Sequence, residues 1–421
     1  MTRTHKRTVY SRTDRNGFAY VTVLLLIAAL VSLSLSFLSR AGIGTSATLD
    51  RGDAIRAEYL AEAAANHGMW RLINEPAFPA AVDKYYMHDL AGGRYGYMAR
   101  RHTGTTFATI AAVGAVGETV ARSSYVLNIQ GGGGGASQMV TGTYVGNEAD
   151  DRAITGVAFR PDVVIVKGDV KKDAVIRTSS MTGDLSKMMK GGDKMEADLI
   201  QSLDPFGFTV GTHDAVNKNG VAYYWAAFRA VEGQMELGTY IGDDSGDIDI
   251  TGLCITPALV LVMSEDKKEA VFRVDPWPDT FDFNNGGAEK DCIASPFLTD
   301  GFRVGQDDRV NKTGDKYHYI AWAGIAGQQV AGTYIGDEVD DRDILGLGLQ
   351  PEYVWVRCAD SDHMFHRPAS LGGGDQSMFF ADKKHEPDRI QALLSDGFQI
   401  GTDDDVNRDG RFYIYFAWAQ K

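Results

Sequence analysis

The chain is poor in several things, and each shortage narrows its chemistry. Its 421 residues include three cysteines, Cys254, Cys292 and Cys358, too few and too unevenly placed for a disulfide frame or a repeated thiolate site. A Cys254–Cys292 bridge and lone buried thiols both fit that spacing. Basic residues are in deficit: 42 Lys and Arg stand against 56 Asp and Glu, for a net charge of −14. A nucleic-acid partner is therefore not expected, because a phosphate binder needs a positive footprint. No G-x-S-x-G, H-E-x-x-H or phosphate-loop pattern occurs. His363 and His366 have no counterparts elsewhere and would face opposite ways on a strand. No catalytic residue is assigned, and the chain reads as a non-enzyme. Beyond residue 40 there is no second long apolar run.

The one long apolar run, Phe18 to Leu38, has 21 residues without a charge. As a helix it is about 31 Å long, enough to cross a bilayer. A basic leader with Arg3, Lys6, Arg7, Arg12 and Arg15 precedes it. That asymmetry predicts a transmembrane helix whose N-terminus stays cytoplasmic, with everything after Arg40 exported. A cleavable signal fits less well, since the only nearby small-x-small site, Ser39-Arg40-Ala41, carries an Arg. A plain signal anchor stays open.

A basic leader ending in Gly17, then Phe18, then an uninterrupted apolar helix resembles the prepilin N-terminus of type IV pilins and type II secretion pseudopilins. The resemblance implies cleavage by a prepilin peptidase between Gly17 and Phe18, and methylation of Phe18. It also implies other pilin or pseudopilin subunits as partners, the inner membrane before assembly with the C-terminal part periplasmic or extracellular, and a cell-surface filament as destination. Most family members carry Glu at the fifth mature residue, where this chain has Thr22. Minor, tip-forming pseudopilins of the GspK kind also lack that Glu, so an initiating or tip role is implied. The segment AEYLAEAAANHGMWRL is similar to the post-anchor helix of PilX-type minor pilins.

These features divide the chain into a leader (1–17), a transmembrane or filament helix (18–40) and a pilin-like head (41–130). In the head, Asp50 to Ile73 reads as a helix with Ile55, Tyr59, Ala63, Trp70 and Ile73 near one face, closed by Asn74-Glu75-Pro76. Arg94 to Arg101, Thr105 to Val113 and Val120 to Ile129 read as antiparallel strands. The predicted head is thus α+β. Five glycines, Gly131 to Gly135, open a linker over 131–137.

Three repeats follow, over 138–233, 234–327 and 328–421. They open on TGTYVG, LGTYIG and AGTYIG, and close on GFTVG, GFRVG and GFQIG ahead of an aromatic strand. Each is long enough to be a small domain, and short apolar strands dominate it. The expected fold is all-β, three tandem sandwich-like repeats. Helical turns are expected only near Asp193 to Leu203 and Pro387 to Leu394. On the last strand Tyr223 and Trp225 share one face, and Tyr224 and Phe228 the other. One face should be core, and the other is available as a platform.

Several polar residues recur at matched positions. Asp151, Asp247 and Asp341 fall in the acidic loop after the first strand. Asp214, Asp308 and Asp404 stand three residues before Asn217, Asn311 and Asn407. Arg177, Arg273 and Arg367 fall on or near a middle strand, as candidates for a structural ion pair. Dense carboxylates and carbonyls suit Ca²⁺, and Asp, Asn and aromatics together suit a sugar. Asp405-Val-Asn407-Arg-Asp409-Gly410 matches half a calcium loop, but Phe416 occupies the position that needs Glu. V-N-x-x-G also reads as a plain hairpin turn. The resulting expectation is a minor pilin or pseudopilin that displays an adhesin- or lectin-like β module to a glycan or other surface ligand. The alternative is an anchored envelope protein whose repeats are structural modules.

Overall fold

The computed structural model describes residues 138–284, 292–360 and 363–420 throughout. Before them it describes parts of 56–71, and residues 85–90, 93–101, 107–117 and 119–128. The leader, the Gly17–Phe18 junction, Thr22, the apolar run 18–40 and the glycine linker lie outside the described residues. Among the described residues no helix is long and apolar enough to cross a membrane. The fold class is therefore corrected to almost entirely β. The transmembrane, pilin and inner-membrane assignments have no support in the structure.

Helical residues within 56–71 lie on a four-stranded antiparallel meander: β1 (Tyr85–Leu90), β2 (Gly93–Arg101), β3 (Phe107–Val116) and β4 (Thr119–Asn128). Small residues let helix and sheet approach closely. Ala64 and Ala65 pack on Tyr97, Ala99, Ile110 and Ala112, and a Cβ on Gly114 would meet the Ala57 carbonyl at 2.1 Å. Strand β1 has no counterpart in the sequence reading, because YYMHDL offers little alternation of apolar and polar residues.

The first repeat forms β5 (Met139–Val145), β6 (Arg152–Thr155), β7 (Val163–Gly168), β8 (Val175–Thr178), β9 (Lys187–Met188), β10 (Ile200–Asp204), β11 (Gly207–Val210), α1 (Asp214–Asn217) and β12 (Ala222–Phe228). Its larger sheet has the order β5-β12-β7-β8-β9 and its smaller one β10-β11-β6. The second and third repeats share the plan, with α2 (Asp308–Asn311) and α3 (Asp404–Asn407), except that the second's smaller sheet has two strands and the third's larger sheet six. The segments read as helical turns are strands instead: Ile200–Asp204 and Ile390–Leu394 pair with their neighbours.

Both faces of each larger sheet are buried, which explains why β7 has no exposed residue. The outer face packs on the smaller sheet, making one sandwich core per unit. In unit 1 that core includes Val164, Val166, Phe208, Tyr223 and Trp225. The inner faces of all three units meet in one shared core. Its centre is a triangle of matched residues: Phe228 lies 5.8 Å from Trp322 and 5.4 Å from Trp418, and the two tryptophans are 5.6 Å apart. No face of the aromatic strand is left as a platform. Burial of this kind dominates folding energy, at roughly 25 cal/mol per Å² of apolar surface.

Three seams close the ring, each with the same sense. From unit 1 to unit 2, Lys187 Nζ donates to the Asp266 carbonyl at 2.9 Å and the Met195 amide donates to Glu265 at 2.9 Å. From unit 2 to unit 3, the Asn284 carbonyl accepts from Arg357, and Trp277 lies 5.8 Å from Phe412. From unit 3 back to unit 1, the Lys383 carbonyl accepts from Lys167 Nζ at 2.8 Å and that of Phe380 from the Ala174 amide at 2.8 Å. Head-to-tail contacts that return to their start make a closed ring.

Candidate functional site

The recurring residues assemble into one motif per unit, where the acidic loop after the first strand meets the one-turn helix. The helix begins at a capping side chain. His213, Asp307 and Asp403 each accept the amide two residues on, at 3.0, 2.8 and 2.9 Å, as helix N-termini favour. Asn217, Asn311 and Asn407 close it and are fully buried. Asn407 Nδ2 donates to the Val339 and Gly401 carbonyls at 2.8 and 2.9 Å, and its Oδ1 accepts from the Asp337 amide at 3.0 Å. Asn217 makes the same set with Ala149, Gly211 and Asn147. In unit 2 the partners are Gly246 and the Asp243 amide. With donors and acceptor engaged in this way, the Asn side chain staples the loop to the helix and is no ligand for a cation.

Two tyrosines per unit complete the clamp. Tyr144 stacks on Tyr223 at 5.2 Å, Tyr240 on Tyr317 at 5.1 Å and Tyr334 on Tyr413 at 5.1 Å. Their hydroxyls donate to helix carbonyls, for example Tyr223 to Asp214 at 2.6 Å and Tyr144 to Val216 at 2.5 Å. Burial pushes the Tyr223 and Tyr317 hydroxyls up to about 12, so they remain protonated donors. In the sequence reading Tyr223 belongs to one face of the last strand, and Tyr144, Tyr240 and Tyr334 only to the motif that opens each repeat. Their recurrence was the available signal for the clamp.

The matched aspartates lie outside the clamp and do not converge. Asp214 pairs with Lys218 at 3.1 Å, Asp308 with Lys268 at 3.0 Å and Asp404 with Arg408 at 3.8 Å. The hydrogen bond from Lys268 holds the Asp308 carboxyl below its usual range. Asp151 and Asp341 adopt left-handed φ of 51° and 54°, and Asp247 lies 3.8 Å from Arg303. All three are exposed. Among the described residues no three His, Cys, Asp or Glu side chains come together as a metal cage. The calcium-like half loop has Asn407 buried in its middle and Gly410 at φ 73° as a turn. The donor set therefore does not fit Ca²⁺.

The three matched arginines are buried, and their main partners are carbonyls. Arg177 donates to Gly183 at 2.6 Å, to Ile200 at 3.2 Å and to Leu185. Arg367 donates to Gly372 and Gly374, each at 2.8 Å, to Ile390 at 3.3 Å and to Gln376. Among the described residues only Arg273 of the three also has a carboxylate, Asp275 at 3.6 Å. Each arginine thus pins an irregular turn to its strand. Their burial lowers the guanidinium pKa in all three.

His366 lies in the shared core, stacked at 4.0 Å on Phe380, while His363 lies against Phe379 in the outer layer. The two imidazoles do not meet. No disulfide forms among the described residues; Cys254 is exposed, and Cys292 and Cys358 are buried.

One cleft of about 540 Å³ lies in unit 3, walled by Gln350, Glu352, Arg367, Gly372–Gly374, Gln391 and Gln420. Sequence reading missed it because its walls come from four separate segments. The family model of a domain of unknown function, DUF7483, matches residues 329–421, which is the third unit alone. No curated protein and no solved structure matches the chain.

Proposed function

We propose that this chain is a non-catalytic presentation protein, a closed ring of three β units that offers its loops and clefts to a ligand in the manner of an adhesin or lectin. One observation carries the reading. Side chains kept at matched positions, the asparagines, tyrosines and arginines, are buried in scaffold contacts. The loops they hold are exposed and acidic in all three units: Asn147-Glu148-Ala149-Asp150-Asp151, Asp243-Asp244-Ser245-Gly246-Asp247 and Asp337-Glu338-Val339-Asp340-Asp341. A rigid frame with exposed polar loops is the usual arrangement of a binding module.

The test is to probe an array of neutral and acidic oligosaccharides with the intact chain. Retention on a defined subset, with the sugars recovered unchanged, is expected. Changing Asp150, Asp151, Asp340 and Asp341 together to Asn should weaken retention at least fivefold without moving Tm. An array that retains nothing rejects the presentation reading. That outcome would favour a purely structural module, the role that the three buried seams on their own fit.

A further inference from the structure

We infer that the cleft of unit 3, beside its seam with unit 1, is the site of ligand binding, and that it takes a neutral carbohydrate. This rests on the presentation reading above and narrows it to one place and one ligand class.

Size comes first. About 540 Å³ falls in the range of small-molecule sites, about 300–1,000 Å³, and has room for one or two sugar rings. The charge balance is the second argument. Arg367 is 3% exposed and its guanidinium is held by the carbonyls of Gly372, Gly374 and Ile390. Glu352 accepts from Thr141 of unit 1 at 2.6 Å, and burial raises its pKa. Neither group is left to capture an ion, which disfavours phosphates and charged peptides.

The remaining polar groups are amides. Gln350, Gln391 and Gln420 each carry donors and an acceptor, the pairing that sugar hydroxyls require. Gln391 donates to Asp340 at 3.2 Å, while its Oε1 is buried with no partner. The same amide ties the cleft to the acidic loop.

The floor is bare backbone. A Cβ on Gly372, Gly373 or Gly374 would meet nothing within 4 Å. Gly372 and Gly374 have φ of 75° and 109°, which only glycine adopts without strain. The corresponding turn of unit 2 holds Trp277, packed against the shared core, and that of unit 1 holds Met181 in it. The glycine run therefore belongs to unit 3 alone.

Gly373 has ordinary φ and open space around it, so Gly373→Trp sets an indole at the cleft wall without disturbing the fold. With the full chain on the same array, and with the retained sugar titrated by calorimetry, Gly373→Trp should weaken binding at least tenfold at unchanged Tm. Gln391→Ala should weaken it several-fold. Sugar binding that survives Gly373→Trp overturns the cleft assignment while leaving presentation intact. Retention restricted to acidic sugars overturns the ligand class. An array with no retention overturns both, and the two readings are separated by the surviving-binding outcome.

Discussion

At the scale of single residues, Asn407 and Asp404 recur side by side in sequence yet do opposite things. Asn407 is fully buried and ties three backbone segments together, whereas Asp404 holds only an exposed partner 3.8 Å away. Asn407→Ala strands buried carbonyls and an amide, at a cost on the order of 3 kcal/mol. Asp404→Ala should stay within about 0.5 kcal/mol, as exposed ion pairs do. Urea midpoints of the two variants check the contrast. The recurrence of both residues was legible in the sequence; which of them turns inward was not, since both types suit a turn.

Titration provides a second residue-scale prediction. Burial holds His363 and His385 down to about 4, and His366 well below its ordinary value. All three are neutral in the folded chain and protonate near pH 6.5 once unfolded. Below that pH the unfolded chain binds more protons, so stability falls from about pH 6.5 toward 4. Asp173, raised to about 6 by burial, acts in the opposite sense between about 4 and 6; burial also raises the carboxyls of Glu236, Asp315, Glu352 and Asp403, which share that sense, and lowers His318, which joins the other histidines. The urea midpoint should drop between pH 7.5 and 5, and less steeply in His366→Gln. A flat profile would refute this.

At the scale of elements, Phe206 marks where the head meets the ring. The other units have Thr299-Asp300 and Ser395-Asp396 before their Gly-Phe, but unit 1 has Asp204-Pro205-Phe206. Phe206 is 6% exposed and packs among Ala64, Tyr97 and Ile110 of the head. Phe206→Asp should release this contact. Faster amide exchange over Ile110–Val116, with exchange in Tyr353–Cys358 unchanged, is the expected signature. The departure of this segment from its repeat was visible in the sequence. Its partners, far back in the chain between Ala64 and Ile110, were not.

At the scale of the whole molecule, the shared core predicts one unfolding event. Inner faces of the three units bury one another around Phe228, Trp322 and Trp418, so no unit keeps its core if a neighbour leaves. Calorimetry of the chain should show a single transition for residues 138–420. Trp322→Ala, at a cost of about 3–5 kcal/mol, should lower all of it together. Three resolved transitions, or a shift confined to one, would refute the closed ring.

The sequence by itself determined the repeat, its β character, the sites of its turns and the absence of any familiar catalytic motif, because these depend on local periodicity and on glycine and asparagine at fixed spacings. It also set the acidic balance that disfavours nucleic acid. Only the tertiary structure decided that both faces of the aromatic strands are core and that the matched arginines serve carbonyls. It alone showed that the acidic loops hold no metal cage and that walls from four segments enclose the cleft of unit 3. Those outcomes depend on which surfaces meet when three sheets close into a ring, and contacts between residues 73 to 216 positions apart leave no periodic trace along the chain.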